Sequence, residues 1–241
     1  SHSIPLAAPG LLSQGMKSIL KPESPFYLKP RINSDLIRWL WRFRKACNAK
    51  QMLRSIGVLC ELDYASLDLF DCLITDESLD CNFRQDGWLL VYRIEKSFQK
   101  AVEETDLLKA HSVEMKILNR DETLRMEPSL RPEIFGGIFF PRDAHLNPEK
   151  FILSLAGCLK PQGVELYEQT EVLGWEISNG LISAVKTNQG NFHPKQIVLA
   201  TGAWSSALVK SIGFRLPVQP GKGYIISMNR TKVHPNIPLY L

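Results

Sequence analysis

Apolar positions along the chain follow three regimes in turn. From Leu36 to Ile74 they recur three and four residues apart: Leu36, Trp39, Leu40, Phe43 and Cys47, then Leu53, Ile56, Cys60, Tyr64, Leu67, Phe70 and Ile74. Residues at that spacing share one face of a helix. The pattern predicts a helix starting near Asp35, capped by Asn33 or Ser34, and a longer one from about Ala49 to Thr75. Trp41 lies off the first stripe and is free to meet a second surface. Between residues 83 and 141 the period shortens. Gly87 to Arg93, Val113 to Leu118 and Phe135 to Pro141 read as strands. An amphipathic helix from Phe98 to Ala110 and a short helix from Arg120 to Glu127, stopped by Pro128, lie between them. This order predicts an α+β layer rather than a βαβ series.

The third regime begins at Asn147-Pro148, a helix start followed by Phe151, Ile152, Leu155, Ala156 and Leu159 on one side. Val164 to Tyr167 reads as a strand. Thr170 to Ile177, Leu181 to Thr187 and Asn191 to His193 read as a meander turning at Asn179-Gly180 and Gln189-Gly190. Ile197 to Ala200 then predicts a short parallel strand covered on both faces, running through the turn Thr201-Gly202 into a helix from near Trp204 with Leu208, Val209 and Ile212 on its apolar side. In open α/β sheets ligands bind at the carboxyl ends of such strands, and Gly202 lets backbone come close to whatever sits there. An extended passage from Phe214 leads into a further predicted strand from Tyr224. Residues 1–33 are rich in Pro and Gly and read as ordered loop, with one helix from Leu11 to Leu20 and an exposed end carrying His2.

Composition narrows the class without choosing a function. The chain has 241 residues, 44% of them apolar and 22% charged, with a formal charge of +4. These are ordinary values for a soluble globular protein. The basic residues are dispersed except for Arg38, Arg42, Arg44 and Lys45 on one helix, which is no nucleic-acid footprint. That face reads as solvated, with a membrane-surface or acidic-partner patch as the alternative. The five cysteines are odd in number and contain no CxxC pair, so neither a disulfide framework nor a zinc or other metal site is expected, and a reducing compartment fits. No apolar run reaches the roughly 20 residues of a spanning helix. The chain opens without Met and stops inside the apolar run Ile237-Pro-Leu-Tyr-Leu241, and is expected to be a piece of a longer polypeptide.

Helix, strand, meander, strand, Gly turn and helix in that order, with the segments Asp143-x-His-Leu-Asn-Pro148, Gly163-Val-Glu-Leu166, Thr170-Glu-Val172 and Pro217-Val-x-Pro-Gly-Lys-Gly-Tyr224, resemble the D-amino acid oxidase superfamily of FAD-dependent oxidoreductases. Leu6-Ala-Ala-Pro-Gly-Leu11, Trp39-x-Trp-x-Phe43 and Gly87 to Arg93 bring the chain close to the D-amino acid dehydrogenase branch, small-subunit type. The resemblance covers essentially the whole chain. It implies an α/β plus α+β fold: part of an FAD-binding domain of the two-dinucleotide-binding type, containing a β-meander, and a mixed-sheet substrate or cap domain. It implies a loop segment of the FAD domain at 1–33, the substrate/cap domain at 34–142, FAD-domain sequence at 143–216 and a return into the substrate domain at 217–241.

The cofactor implied is FAD, met by the backbone of Val172 at the adenine end and by Ala200, Thr201, Gly202 and Trp204 nearer the ribose and pyrophosphate. Tyr224 falls on the substrate side and is the catalytic candidate. Arg93 and His145 are further substrate-side candidates, each with a plain alternative: a solvated strand-end Arg and a loop hydrogen-bonding His. The implied reaction is oxidative deamination of a D-amino acid to a 2-oxo acid and ammonia, with a respiratory-chain or quinone acceptor. The implied location is the cytoplasm, with peripheral contact to the inner face of the cell membrane open. Glycine, sarcosine or a 2-hydroxy acid remains open as substrate, and so does a non-catalytic binding or assembly role. One departure stands out: the Gly-x-Gly-x-x-Gly turn that holds FAD pyrophosphate in this superfamily does not occur in the sequence. The resemblance places that turn ahead of Ser1, and the substrate-carboxylate clamp beyond Leu241.

Overall fold

A computed structural model describes residues 5, 34–229 and 231–240 of the chain. The predicted helix at 11–20 and His2 lie outside the described residues. The described residues fall into two compact units, one of residues 46–164 and 227–240, the other of 34–45 and 165–226.

The first unit is built on a four-stranded sheet. Its strands are β1 (Trp88–Tyr92), β2 (Lys116–Asn119), β3 (Gly136–Phe140) and β7 (Leu239–Tyr240), in the order β2-β3-β1-β7. β3 pairs antiparallel with β1 and β2, and β7 adds parallel to β1 through Leu89↔Leu239 and Leu90↔Tyr240. Both faces of the sheet are packed, which is why β1 reads Trp-Leu-Leu-Val-Tyr rather than alternating with polar residues. On one face Ile138 and Phe140 join Ile56 and Cys60 of α2 (Ala49–Asp76) and Phe98 and Leu108 of α3 (Glu95–Lys109). On the other, Leu89, Val91, Leu118 and Ile134 form a cluster closed by Leu124, Leu130 and Leu239.

Gly136 marks a close approach between β3 and its neighbours. A Cβ there would sit 2.8 Å from the Leu118 carbonyl oxygen and 3.0 Å from the Phe98 ring. The short helix α4 (Arg120–Met126) starts on a capping box in which Asn119 and Glu122 exchange side-chain-to-backbone bonds of 3.0 and 2.8 Å. Helix α5 (Pro148–Leu159) is capped by Asn147 and meets α2 through Phe151 and Phe70, whose ring centroids lie 5.4 Å apart.

The second unit holds α1 (Ser34–Ala46, whose last residue groups with the first unit), a three-stranded antiparallel meander and α6 (Ser205–Lys210). The meander strands are β4 (Val172–Ser178), β5 (Leu181–Thr187) and β6 (Gly190–Phe192). Its first turn takes positive φ at both Asn179 (53°) and Gly180 (77°), the geometry a two-residue hairpin demands. The Trp175 indole N–H donates to the Leu208 carbonyl at 3.0 Å and so ties β4 to α6.

Three predicted strands are not strands. Residues 164–167, 197–200 and 224–228 carry no regular secondary structure and join no sheet among the described residues. Val198, Ile225 and Ile226 are 90%, 92% and 84% exposed, so the run expected to be covered on both faces is not. Apolar composition marks a segment that can enter a sheet; the ladder that makes it a strand comes from elsewhere in the chain.

Candidate functional site

The segment singled out for ligand binding has no regular structure through Thr201 and enters a single 3-10 turn, Gly202–Trp204, before α6. Gly202 sits at φ +51°, in the left-handed region that a side chain disfavours, and no atom of the described residues beyond its chain neighbours lies within 4 Å of where its Cβ would be. The Thr201 and Ser205 hydroxyls share a hydrogen bond of 2.9 Å, which fastens the turn to the first residue of α6. Ser205 is buried, whereas Ala200, Gly202 and Trp204 are exposed. The result is an anchored turn whose backbone stands open. A phosphorylated cofactor approaching a Gly turn needs close access to main-chain N–H groups and no obstructing Cβ, and this turn offers both.

Val172 opens β4 opposite Thr187, is half-buried, and belongs to the same unit as residues 200–204. Tyr224 also belongs to that unit. It is 83% exposed, with the Lys222 ammonium 5.1 Å from its ring centroid. Arg93 and His145 lie in the other unit. Arg93 follows β1 directly and is exposed. The His145 backbone forms an antiparallel bridge with Arg84, and its buried Nδ1 has no hydrogen-bond partner among the described residues.

Sequence reasoning passed over Glu127. Its side chain is fully buried and accepts from the backbone N–H groups of Ser129 (3.1 Å), Asn236 (2.6 Å) and Ile237 (3.3 Å) and from the Asn236 amide (3.4 Å). Burial pushes this carboxyl up, and the hydrogen bonds from Ser129, Asn236 and Ile237 outweigh it, leaving the group below its ordinary value. Glu127 therefore holds the segment that enters β7. The signal was the acid at the end of a short helix before Pro128, which reads as surface charge until its partners 109 and 110 residues away are known. Ser205 was also passed over; its relation to Thr201 is the i, i+4 spacing of one helical turn.

Residues 9–240 match the family of FAD dependent oxidoreductases (DAO). Among curated proteins, the chain is 31% identical over 223 residues to a D-amino acid dehydrogenase of Helicobacter pylori strain J99, covering 92% of this chain and 53% of that protein. It is 29% identical over 230 residues to a D-amino acid dehydrogenase of Vibrio atlanticus, covering 94% and 55%. The chain thus spans about half the length of the curated relatives it matches. Among solved structures it is similar to a glycine oxidase from Bacillus cereus, with a TM-score of 0.59 at 24% identity over 63% of this chain and 43% of that one. An L-proline dehydrogenase from P. horikoshii gives a TM-score of 0.55 at 24% identity over 66% and 41%. These likenesses agree with the expected fold, a mixed sheet in one unit and a separate antiparallel meander in the other. No helix among the described residues is long and apolar enough to cross a membrane.

Proposed function

Because the chain belongs to the FAD dependent oxidoreductase family, we propose that it forms part of a flavoenzyme that oxidises D-amino acids. The observation that carries this reading is the similarity to curated D-amino acid dehydrogenases along 92–94% of the chain. Bound FAD would supply the acceptor for the hydride that leaves the substrate α-carbon. The amine loses that hydride and a proton to become an imine, and water then converts the imine to a 2-oxo acid and ammonia.

In this reading the open backbone at Thr201 and Gly202 takes the phosphate-bearing middle of the cofactor. Val172 would meet the adenine end through its main chain, and the exposed Trp204 stands next to the turn. The Thr201–Ser205 hydrogen bond keeps the turn in shape before the cofactor arrives, so that little ordering cost is left for binding. Tyr224 stands on the substrate side as a hydrogen-bonding phenol. Arg93 is a candidate guanidinium for a substrate carboxylate, and the buried His145 Nδ1 has no hydrogen-bond partner among the described residues. The reduced cofactor would pass its electrons on to a respiratory-chain or quinone acceptor.

The test uses the whole protein, purified with its flavin. Under anaerobic conditions D-alanine is expected to bleach the flavin absorbance near about 450 nm. It should yield pyruvate and ammonia in equal amounts, and L-alanine should do neither. Bleaching by glycine or a 2-hydroxy acid with no response to any D-amino acid would overturn the substrate assignment. A whole protein that retains no flavin would overturn the flavoenzyme reading itself.

A further inference from the structure

The second unit contains a groove of about 360 Å³ that the flavin reading does not use. It lies between α1 and the segment running from α6 into residues 214–219. Its volume falls within the roughly 300–1,000 Å³ of small-molecule sites. Four cations line it, Arg38, Arg42, Lys210 and Arg215, against one carboxylate, Asp35. Arg38 is partly neutralised by Asp35 at 3.4 Å. Arg42, Lys210 and Arg215 make no ion pair among the described residues, although the chain carries 25 acidic residues that could have supplied one. Three exposed, unneutralised cations around one concavity repel one another, and an anion relieves that repulsion.

The groove also has a flat apolar wall. Trp39 lines it, half-buried and stacked on Phe43 with ring centroids 5.1 Å apart and planes within 10°, so its indole is held in place before a ligand arrives. The far wall is fixed as well. The Ser206 hydroxyl donates to the Leu216 carbonyl at 3.1 Å and ties α6 to the strap that carries Arg215. A fixed aromatic plate beside three unpaired cations matches a ligand with a planar ring at one end and phosphates at the other.

We propose that this groove binds a nucleoside diphosphate at a site separate from the flavin turn at 200–204, with Arg42, Lys210 and Arg215 on the phosphates and Trp39 against the base. Guanidinium forks suit phosphate oxygens bidentately, and the Lys ammonium adds a third point of charge. The site does not depend on flavin turnover, so its test stands or falls apart from the dehydrogenase reading.

The test is calorimetric titration of the purified chain with ADP and with inorganic pyrophosphate. It is repeated on Arg42→Ala, Lys210→Ala and Arg215→Ala, singly and together, and on the control Lys100→Ala, whose lysine pairs with Glu104 on another helix. All three target side chains are exposed, so circular dichroism should show an unchanged fold. Saturable ADP binding is expected, tighter than pyrophosphate and weakened by salt. Each single change should weaken it about three- to fivefold and the triple change more than about thirtyfold, with the control unaffected. Five results would overturn the proposal. The first three are no saturable binding of ADP, a triple variant that binds ADP like the parent chain, and pyrophosphate bound as tightly as ADP. In the fourth, the triple change strips flavin from the whole protein, which would make the groove part of the cofactor site. Binding to vesicles of acidic phospholipid without binding to ADP would likewise replace the site with a surface patch.

Discussion

Glu127 shows how one residue decides where a distant segment lies. Its carboxylate is fully buried and accepts bonds from Ser129, Asn236 and Ile237, so it acts as a socket for the chain entering β7. Glu127→Gln keeps the shape but replaces one acceptor oxygen with a donor facing other donors. Hydrogen bonds to a buried charged group are worth about 1.5–3 kcal/mol each, and a misdirected donor adds its own desolvation cost. A loss of about 2–4 kcal/mol is expected, read as a lower urea midpoint with an unchanged slope. The sign of the pH dependence follows from the direction of the shift. The folded carboxyl lies below its ordinary value, so its contribution is complete above the unfolded value of about 4.3 and is lost as pH falls through the folded value. The parent chain should therefore lose stability on acidification below about pH 4.3 more steeply than Glu127→Gln does. Parallel acid titrations of the two would show no difference if Glu127 were an ordinary surface acid. Gly136 is a second decisive residue. Gly136→Ala places a methyl 2.8 Å from a backbone oxygen of the neighbouring strand, which cannot swing aside, and is expected to cost about 1–3 kcal/mol in the same assay.

At the scale of elements, what could be read from sequence depended on whether an element is defined by its own residues. Helices are: α2 was expected from Ala49 to Thr75 and spans Ala49–Asp76, because periodicity, the Asn48 cap and the helical bonds are all local. The hairpin at Asn179-Gly180 was legible for the same reason, since its turn chemistry sits in two adjacent residues. Strands are defined by a partner. Ile197 to Ala200 has the composition of a central strand and pairs with nothing among the described residues, while β7 at Leu239–Tyr240 becomes a strand because β1 and the Glu127 socket hold it. Helix α3 begins at Glu95, three residues before the apolar stripe suggested, because its first turn is exposed and carries no hydrophobic signal. The capping box of α4 offers a test of how local that element is. Asn119→Ala removes the acceptor for the Glu122 N–H and should cost about 1 kcal/mol in thermal unfolding. Because α4 leads directly to Glu127, amide exchange should quicken at Asn236 and Ile237 as well. A change confined to residues 119–123 would show that the cap does not support the socket.

Across the whole molecule the two units differ sharply in what holds them together. Of the fifteen buried apolar residues described, thirteen belong to the unit of 46–164 and 227–240, and only Ala184 and Val209 to the other. At roughly 1.5–3 kcal/mol for each large buried side chain, that imbalance dominates any difference in hydrogen bonding. Denaturant should therefore unfold the chain in two steps, with the meander first. Trp175, tied to Leu208, reports the early step, and Trp88 in β1 reports the late one. Glu127→Gln should move only the late step. The candidate flavin contacts Val172 and Ala200–Trp204 all lie in the weaker unit, which gives the cofactor an energetic part as well as a chemical one. A ligand that binds only the folded form stabilises it by about 2.7 kcal/mol at a hundred times its Kd. In the whole protein, adding FAD to the apoprotein should thus raise the Trp175 transition toward the Trp88 transition. Gly202→Val should suppress that rise, because a branched side chain fits neither the left-handed turn nor a close approach of phosphate to the backbone. A rise of the same size in Gly202→Val would move the cofactor away from this turn, and a rise at Trp88 alone would move it into the other unit.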